Sequence, residues 1–194
     1  MSDPLANITI CIKGAGEMAS AVAWRLHRAN LRRIYMLEVP QPLAVRRRVS
    51  FCEAIYDGRQ TIEDITAVKT KDQYGLPAAW KNGHIAVLVD PEGKSIPDLV
   101  PDVVIDAILA KRNLGTHKDQ AALVIGLGPG FEASRDVHAV IETNRGTIWA
   151  ASSPTVGRSP TPAFPAGLPA LPSDAYYGPP DPGGFKPLAK SDNL

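Results

Sequence analysis

Short apolar runs separated by polar, glycine-bearing turns dominate the first 146 of the 194 residues. Ile8-Thr9-Ile10-Cys11-Ile12 and Ile34-Tyr35-Met36-Leu37 are two of them. Ile85–Asp90, Val103–Asp106 and Ala122–Leu127 are three more. None keeps a strict apolar/polar alternation, the pattern of strands buried on both faces of a parallel sheet. Between the first two lies a helix-like stretch, Ser20-Ala21-Val22-Ala23-Trp24-Arg25-Leu26. The pattern predicts an α/β fold, a Rossmann-like, mostly parallel sheet flanked by helices. One nucleotide-binding domain over 1–146 and an irregular Pro-rich C-terminal tail over 147–194 are expected. Ligands in such sheets bind at the carboxyl ends of the strands. Glu38, Asp90, Asp106 and the Gly126–Gly130 turn should gather at that edge.

Lys13-Gly14-Ala15-Gly16-Glu17-Met18-Ala19 joins the first strand to the helix. Strand, glycine turn and helix are how a dinucleotide-binding unit begins. Gly14 allows the tight turn, Gly16 lets backbone approach a phosphate, and Ala19 lets the helix pack close to the strand. The helix N-terminus offers N–H groups and a positive dipole end to an anion. Glu38, closing the second strand, is placed to accept from a ribose diol. A tight turn in an α/β protein that binds something else, or nothing, has the same local pattern.

Residues 40–70 read as a loop, a short helix over Ser50–Ile55, a turn at Asp57-Gly58 and a short strand pair. At least one of the adjacent Arg46, Arg47 and Arg48 can meet a phosphate or carboxylate bidentately, and Arg47 is taken as the site candidate; a solvated basic segment is the alternative. Asp106 is followed by Lys111, Arg112 and Asn113, two cations and an amide suited to an anionic ligand. The same residues also suit a helix C-terminal turn stopped by Gly115. Gly126, Gly128 and Gly130 form a second glycine turn on the cofactor side. Asp136–Thr143 reads as a strand with His138, Val140 and Glu142 on one side, and His138 is a candidate substrate contact.

The formal net charge is +1, which gives no global attraction to nucleic acid or to an anionic membrane. The two cysteines, Cys11 and Cys52, cannot build a disulfide framework. No spacing suggests a metal site, no apolar run is long enough to span a bilayer, and no secretory leader is seen. A cytoplasmic protein is expected. No Ser-His-Asp or Cys-His arrangement can be argued, so no catalytic residue is assigned.

Several longer motifs occur in order: Lys13–Gly16, Glu38–Pro42, Arg47–Phe51, Glu53–Gly58, Val89–Pro91, Asp106–Thr116, Gly126–Phe131 and Asp136–Thr143. Together they resemble the YqeB-type proteins, accessory proteins of the selenium-dependent molybdenum hydroxylase system. The resemblance covers roughly residues 8–146. It implies a maturation factor whose partner is the hydroxylase apoprotein. It supplies no defined reaction. Glu17 stands where the family pattern often has aspartate, which keeps the charge.

The composition changes abruptly after Gly146. The last 48 residues hold 10 of the 18 prolines and show no sustained periodicity. A Pro-rich disordered tail is one reading, and a segment translated out of frame is the sharper one. The family pattern continues as R-G-H-x-L-G-R-V-I. Codons CAC GAT CTG GGC CGC GTC ATC spell H-D-L-G-R-V-I, and one base later they spell T-I-W-A-A-S, as in Thr147–Ser152. Family-like P-N-T-G-I-P-G, shifted alike, gives P-T-P-A-F-P-A, as in Pro160–Ala166.

Three functions compete at this point. One is a maturation factor binding a nucleotide, NAD(P)-like or other, or another small anionic ligand. One is an NAD(P)-dependent oxidoreductase. One is a non-catalytic chaperone of the hydroxylase. No nucleic-acid or membrane partner is expected.

Overall fold

The computed structural model describes residues 7–143. The expected tail over 147–194 and its out-of-frame reading lie outside the described residues. The first unit is β1 (Thr9–Lys13), α1 (Glu17–Arg28) and β2 (Arg33–Glu38). α2 (Ala54–Asp57), β3 (Arg59–Ile62), β4 (Ile65–Lys69), α3 (Leu76–Lys81) and β5 (Ile85–Val89) follow. α4 (Ile96–Leu99), β6 (Val103–Asp106), β7 (Leu123–Leu127) and β8 (Ala139–Ile141) complete the described chain.

The strands form one eight-stranded sheet in the order β3-β4-β5-β2-β1-β6-β7-β8. The β3–β4 hairpin is antiparallel, with Arg59 opposite Val68; every other pairing is parallel. From β1 the chain builds outward through β2 and β5, then returns to lay β6 on the other side of β1. Such a reversal leaves a crevice at the carboxyl ends of the two central strands.

The apolar runs sit where that topology needs them. Ile10, Ile12, Ile34, Met36, Ile85 and Val87 point to one face, with α1 and the Phe51–Ile55 segment over them. Cys11, Tyr35, Leu37, Ala86, Leu88, Val104 and Val124 point to the other, under Leu76 and Ala79 of α3 and Ile96 of α4. Both faces are covered, so successive residues of one strand are all apolar. Ala19 and Ala23 are fully buried, which lets α1 lie close to the sheet.

The elements differ from the sequence pattern in three places. The expected helix at Ser50–Ile55 is a 3-10 turn at Phe51–Glu53 that runs into α2. α3 and α4 have six and four residues, too few for a 3.6-residue period to register. β8 is only Ala139–Ile141, so His138 precedes the strand.

Candidate functional site

A cleft of about 660 Å³ opens at the carboxyl ends of β1, β2, β5 and β6. The glycine turn forms its floor. Gly14 has φ +93, a left-handed backbone, and donates its N–H to Leu37 O at 2.8 Å. A Cβ there would stand 3.2 Å from Ala107 O, so the turn can approach β6 only with glycine. Gly16 is the N-cap of α1 and, having no side chain, makes no cap hydrogen bond itself. A Cβ on Gly16 would meet nothing within 4 Å, so it would enter open space beside the helix N-terminus.

The turn is braced from below. Ser20 Oγ donates to Ala15 O at 3.0 Å and accepts Phe51 N–H at 2.7 Å. Cys52 N–H donates to Ala15 O at 2.8 Å. The segment after the arginines is thereby packed onto the glycine turn.

Glu38 closes β2 at the cleft. Its Oε2 accepts the Ala15 N–H at 2.8 Å and its Oε1 accepts the Val39 N–H at 2.8 Å. Each oxygen keeps a lone pair for a ligand hydroxyl. Asp90 lies across the cleft. Burial pushes its carboxyl up, but bonds from Ser95 N–H, Ser95 Oγ and Lys94 N–H outweigh this and hold it below the usual 3.8.

The arginines divide. Arg46 lines the cleft and clasps Glu17 through its backbone N–H, Nε and Nη2, at 2.6 to 3.0 Å. Arg47, the sequence candidate, instead grips the buried Glu53 through Nε and Nη2 at 2.8 and 2.5 Å, outside the cleft lining. Leu43 and Val45, each 96% exposed, line the cleft together with Ile108, Leu109 and Leu114.

Asp106 is 2% exposed at the end of β6. Its Oδ2 accepts the Thr116 hydroxyl at 2.5 Å, and Thr116 Oγ1 accepts from Lys13 Nζ at 2.5 Å. Asn113 folds the loop that delivers Thr116. Its Oδ1 accepts from Gly115 and Thr116 N–H, and its Nδ2 donates to Thr116 O. Its Oδ1 and one Nδ2 N–H are spent on the loop. Lys111 and Arg112 are exposed and do not line the cleft. The second glycine turn packs against them: a Cβ on Gly130 would sit 2.6 Å from Arg112 Cα. A Cβ on Gly126 would sit 2.6 Å from the Phe131 ring, and one on Gly128 2.9 Å from Thr143 Oγ1. These three glycines allow loop packing and do not line the cleft. His138 lies just before β8, where its Nδ1 accepts Val124 N–H at 2.9 Å. Because β7 and β8 are parallel, this is the amino end of the strands, opposite the cleft.

The structure therefore brings together Gly14, Gly16, Glu38 and Asp90 at one cleft, with Asp106 beneath it through Thr116. It leaves Arg47, Lys111, Arg112, Asn113, His138 and the second glycine turn outside. Ala19 stays beneath the turn as helix packing. Sequence reasoning assigned no role to Lys13, and held Arg46 only as one of three arginines able to meet a phosphate or carboxylate, which it does at Glu17. The available signal for Lys13 was a lysine closing an otherwise apolar strand. Burial pushes the thiol of Cys11 up to about 12 and that of Cys52 to about 11, so neither is a poised nucleophile. Among the described residues no group of His, Cys, Asp and Glu could hold a metal ion, and no helix is long and apolar enough to cross a membrane.

Comparison with known proteins adds one relative. Over 145 residues the chain is 46% identical to the uncharacterized protein YqeB of Escherichia coli K12. The stretch is YqeB-like. It makes up 75% of this chain and 27% of the relative, so the chain spans about a quarter of the YqeB length. No protein-family model matches the chain, and no solved structure matches it.

Proposed function

We propose that the cleft binds a nucleotide through its phosphates, and that the protein serves as an accessory factor in maturing selenium-dependent molybdenum hydroxylases. The observation that carries the binding reading is Gly16. It opens a 12-residue helix, as glycine it offers no side chain to cap that helix, and its missing Cβ would enter open space. A phosphate there meets the positive end of the helix dipole and backbone donors. Glu38, at the end of the neighbouring strand, is bonded to the turn through Ala15 N–H and lines the same cleft, where its remaining lone pairs can accept from a ribose hydroxyl. The accessory role rests on the resemblance of the long motifs to the YqeB-type proteins. The oxidoreductase alternative needs a proton donor beside the reacting ring, and His138, its candidate, lies at the opposite edge of the sheet.

Calorimetry with ADP and NAD tests the binding reading. Gly16→Val places a branched side chain in open space, so the variant folds and loses nucleotide affinity by about tenfold or more. Equal affinity of wild type and variant overturns the assignment of the turn. Absence of any nucleotide binding by the wild type overturns the binding reading as a whole. For the accessory role, the hydroxylase is purified from cells with and without this gene, and its labile selenium is measured. An unchanged selenium content counts against it.

A further inference from the structure

The cleft floor holds a buried cation that the phosphate turn does not use. Lys13 is the last residue of β1, 4% exposed, and lines the cleft. Its ammonium carries three N–H donors. Among the described residues one acceptor, Thr116 Oγ1, lies within hydrogen-bond distance. Asp106 Oδ2 is 3.7 Å away and is already bonded by the Thr116 hydroxyl. Asp106 Oδ1 accepts Ile108 N–H. The threonine is thus interposed between cation and carboxylate, and keeps the carboxylate from capping the ammonium.

As a stabilising device this arrangement is poor. A buried ion pair loses more hydration than its attraction returns unless its geometry is close, and apolar replacements are often neutral or better. The loop that delivers Thr116 is also strained. Leu109 and Lys111 both have φ +59, the left-handed region that glycine prefers. Leu109 itself lines the cleft. Strain of this kind persists where surrounding contacts fix it, and it gathers at functional sites.

We propose that Lys13 receives an anionic oxygen of the bound ligand at the cleft floor, with Thr116 and Asp106 as positioning residues that aim its ammonium. This rests on the reading of the cleft as a phosphate-ligand site. A phosphate oxygen offers the unspent N–H donors of Lys13 a charged acceptor, which a nucleoside lacking phosphate does not. The ligand class is accordingly a nucleoside diphosphate or a dinucleotide, whose two phosphate groups can reach both the α1 N-terminus and Lys13.

Calorimetry of the full chain with ADP, adenosine and inorganic pyrophosphate tests it, for the wild type, Lys13→Met and Thr116→Val. The ratio of ADP to adenosine affinity falls about tenfold or more in Lys13→Met, and pyrophosphate binding is lost. In Thr116→Val the same ratio falls by less. A folded Lys13→Met with the wild-type ratio overturns the proposal and leaves the nucleotide reading standing. A wild type that binds none of the three probes overturns both. If Lys13→Met does not fold, lysine Nζ signals are followed by NMR in wild-type protein, with Lys13→Arg supplying the assignment. A shifted Lys13 signal on adding ADP but not adenosine supports the contact, and an unmoved one overturns it.

Discussion

Glu38 does two things at once. Its carboxylate ties the Ala15 N–H to the end of β2, and it presents its remaining lone pairs to the cleft. A 2′-hydroxyl can donate to it, whereas a 2′-phosphate brings a like charge. NAD is therefore expected to bind more tightly than NADP, by about tenfold, or about 1.4 kcal/mol. Competitive titration of the two dinucleotides checks this, and tighter NADP binding removes Glu38 from the ribose site. Among the arginines the residue scale also decides. Arg47 is held by Glu53 and turned from the cleft, while its neighbour Arg46 is clasped by Glu17 at the mouth.

Two elements hold the turn in register. The segment at Phe51–Glu53 is bonded to it through Ser20, a residue 1% exposed. Ser20→Ala leaves the buried Phe51 N–H without its acceptor, at a cost of about 1–3 kcal/mol. Urea denaturation measures the loss, and nucleotide affinity falls with it because the turn is no longer braced. The other end of α1 carries His27, 4% exposed, between Gly83 O and Arg32. Burial and the Arg32 charge lower its pKa below 6.5. The unfolded chain therefore binds a proton that the folded chain refuses. The stability this gives is complete above about pH 6.5 and is lost as pH falls from there through the lowered folded value. His27→Gln should be less stable at about pH 8 and show a flatter stability profile between about pH 7 and 5. Denaturation series at several pH values check it; an unchanged slope removes His27 as the titrating group.

At the scale of the molecule, the cleft exists because the strand order reverses at β1. The strands after it run to β2 and β5 on one side and to β6, β7 and β8 on the other. The connections from β6 to β7 and from β7 to β8 contain no α-helix, and a 3-10 turn at Lys118–Gln120 is the helical piece of the first. The out-of-frame reading of 147–194 predicts that a chain ending at residue 146 keeps the thermal midpoint of the full chain, within about 2 °C. Scanning calorimetry of the two chains decides this. A large drop on truncation shows evolved contacts in the tail and ends the out-of-frame reading.

The amino-acid sequence by itself determined the layering. Apolar runs without alternation require strands covered on both faces, and the sheet has them at Ile10–Ile12, Ile34–Leu37, Ile85–Leu88 and Val103–Ile105. The glycine turn and Glu38 were equally legible, because a positive φ and a strand-terminal carboxylate are local requirements. What each charged side chain faces was decided by the tertiary structure alone. Lys13, Thr116 and Asp106 are brought together across more than a hundred residues of sequence, from Lys13 to Thr116. Arg46 and Arg47 are neighbours in sequence with different partners, and His138 lies at the amino end of β8, bonded to Val124 N–H, because β8 runs parallel to β7. Periodicity fixes which face of an element is apolar. It does not fix which of several exposed polar groups the packing of distant elements will turn toward a common cleft.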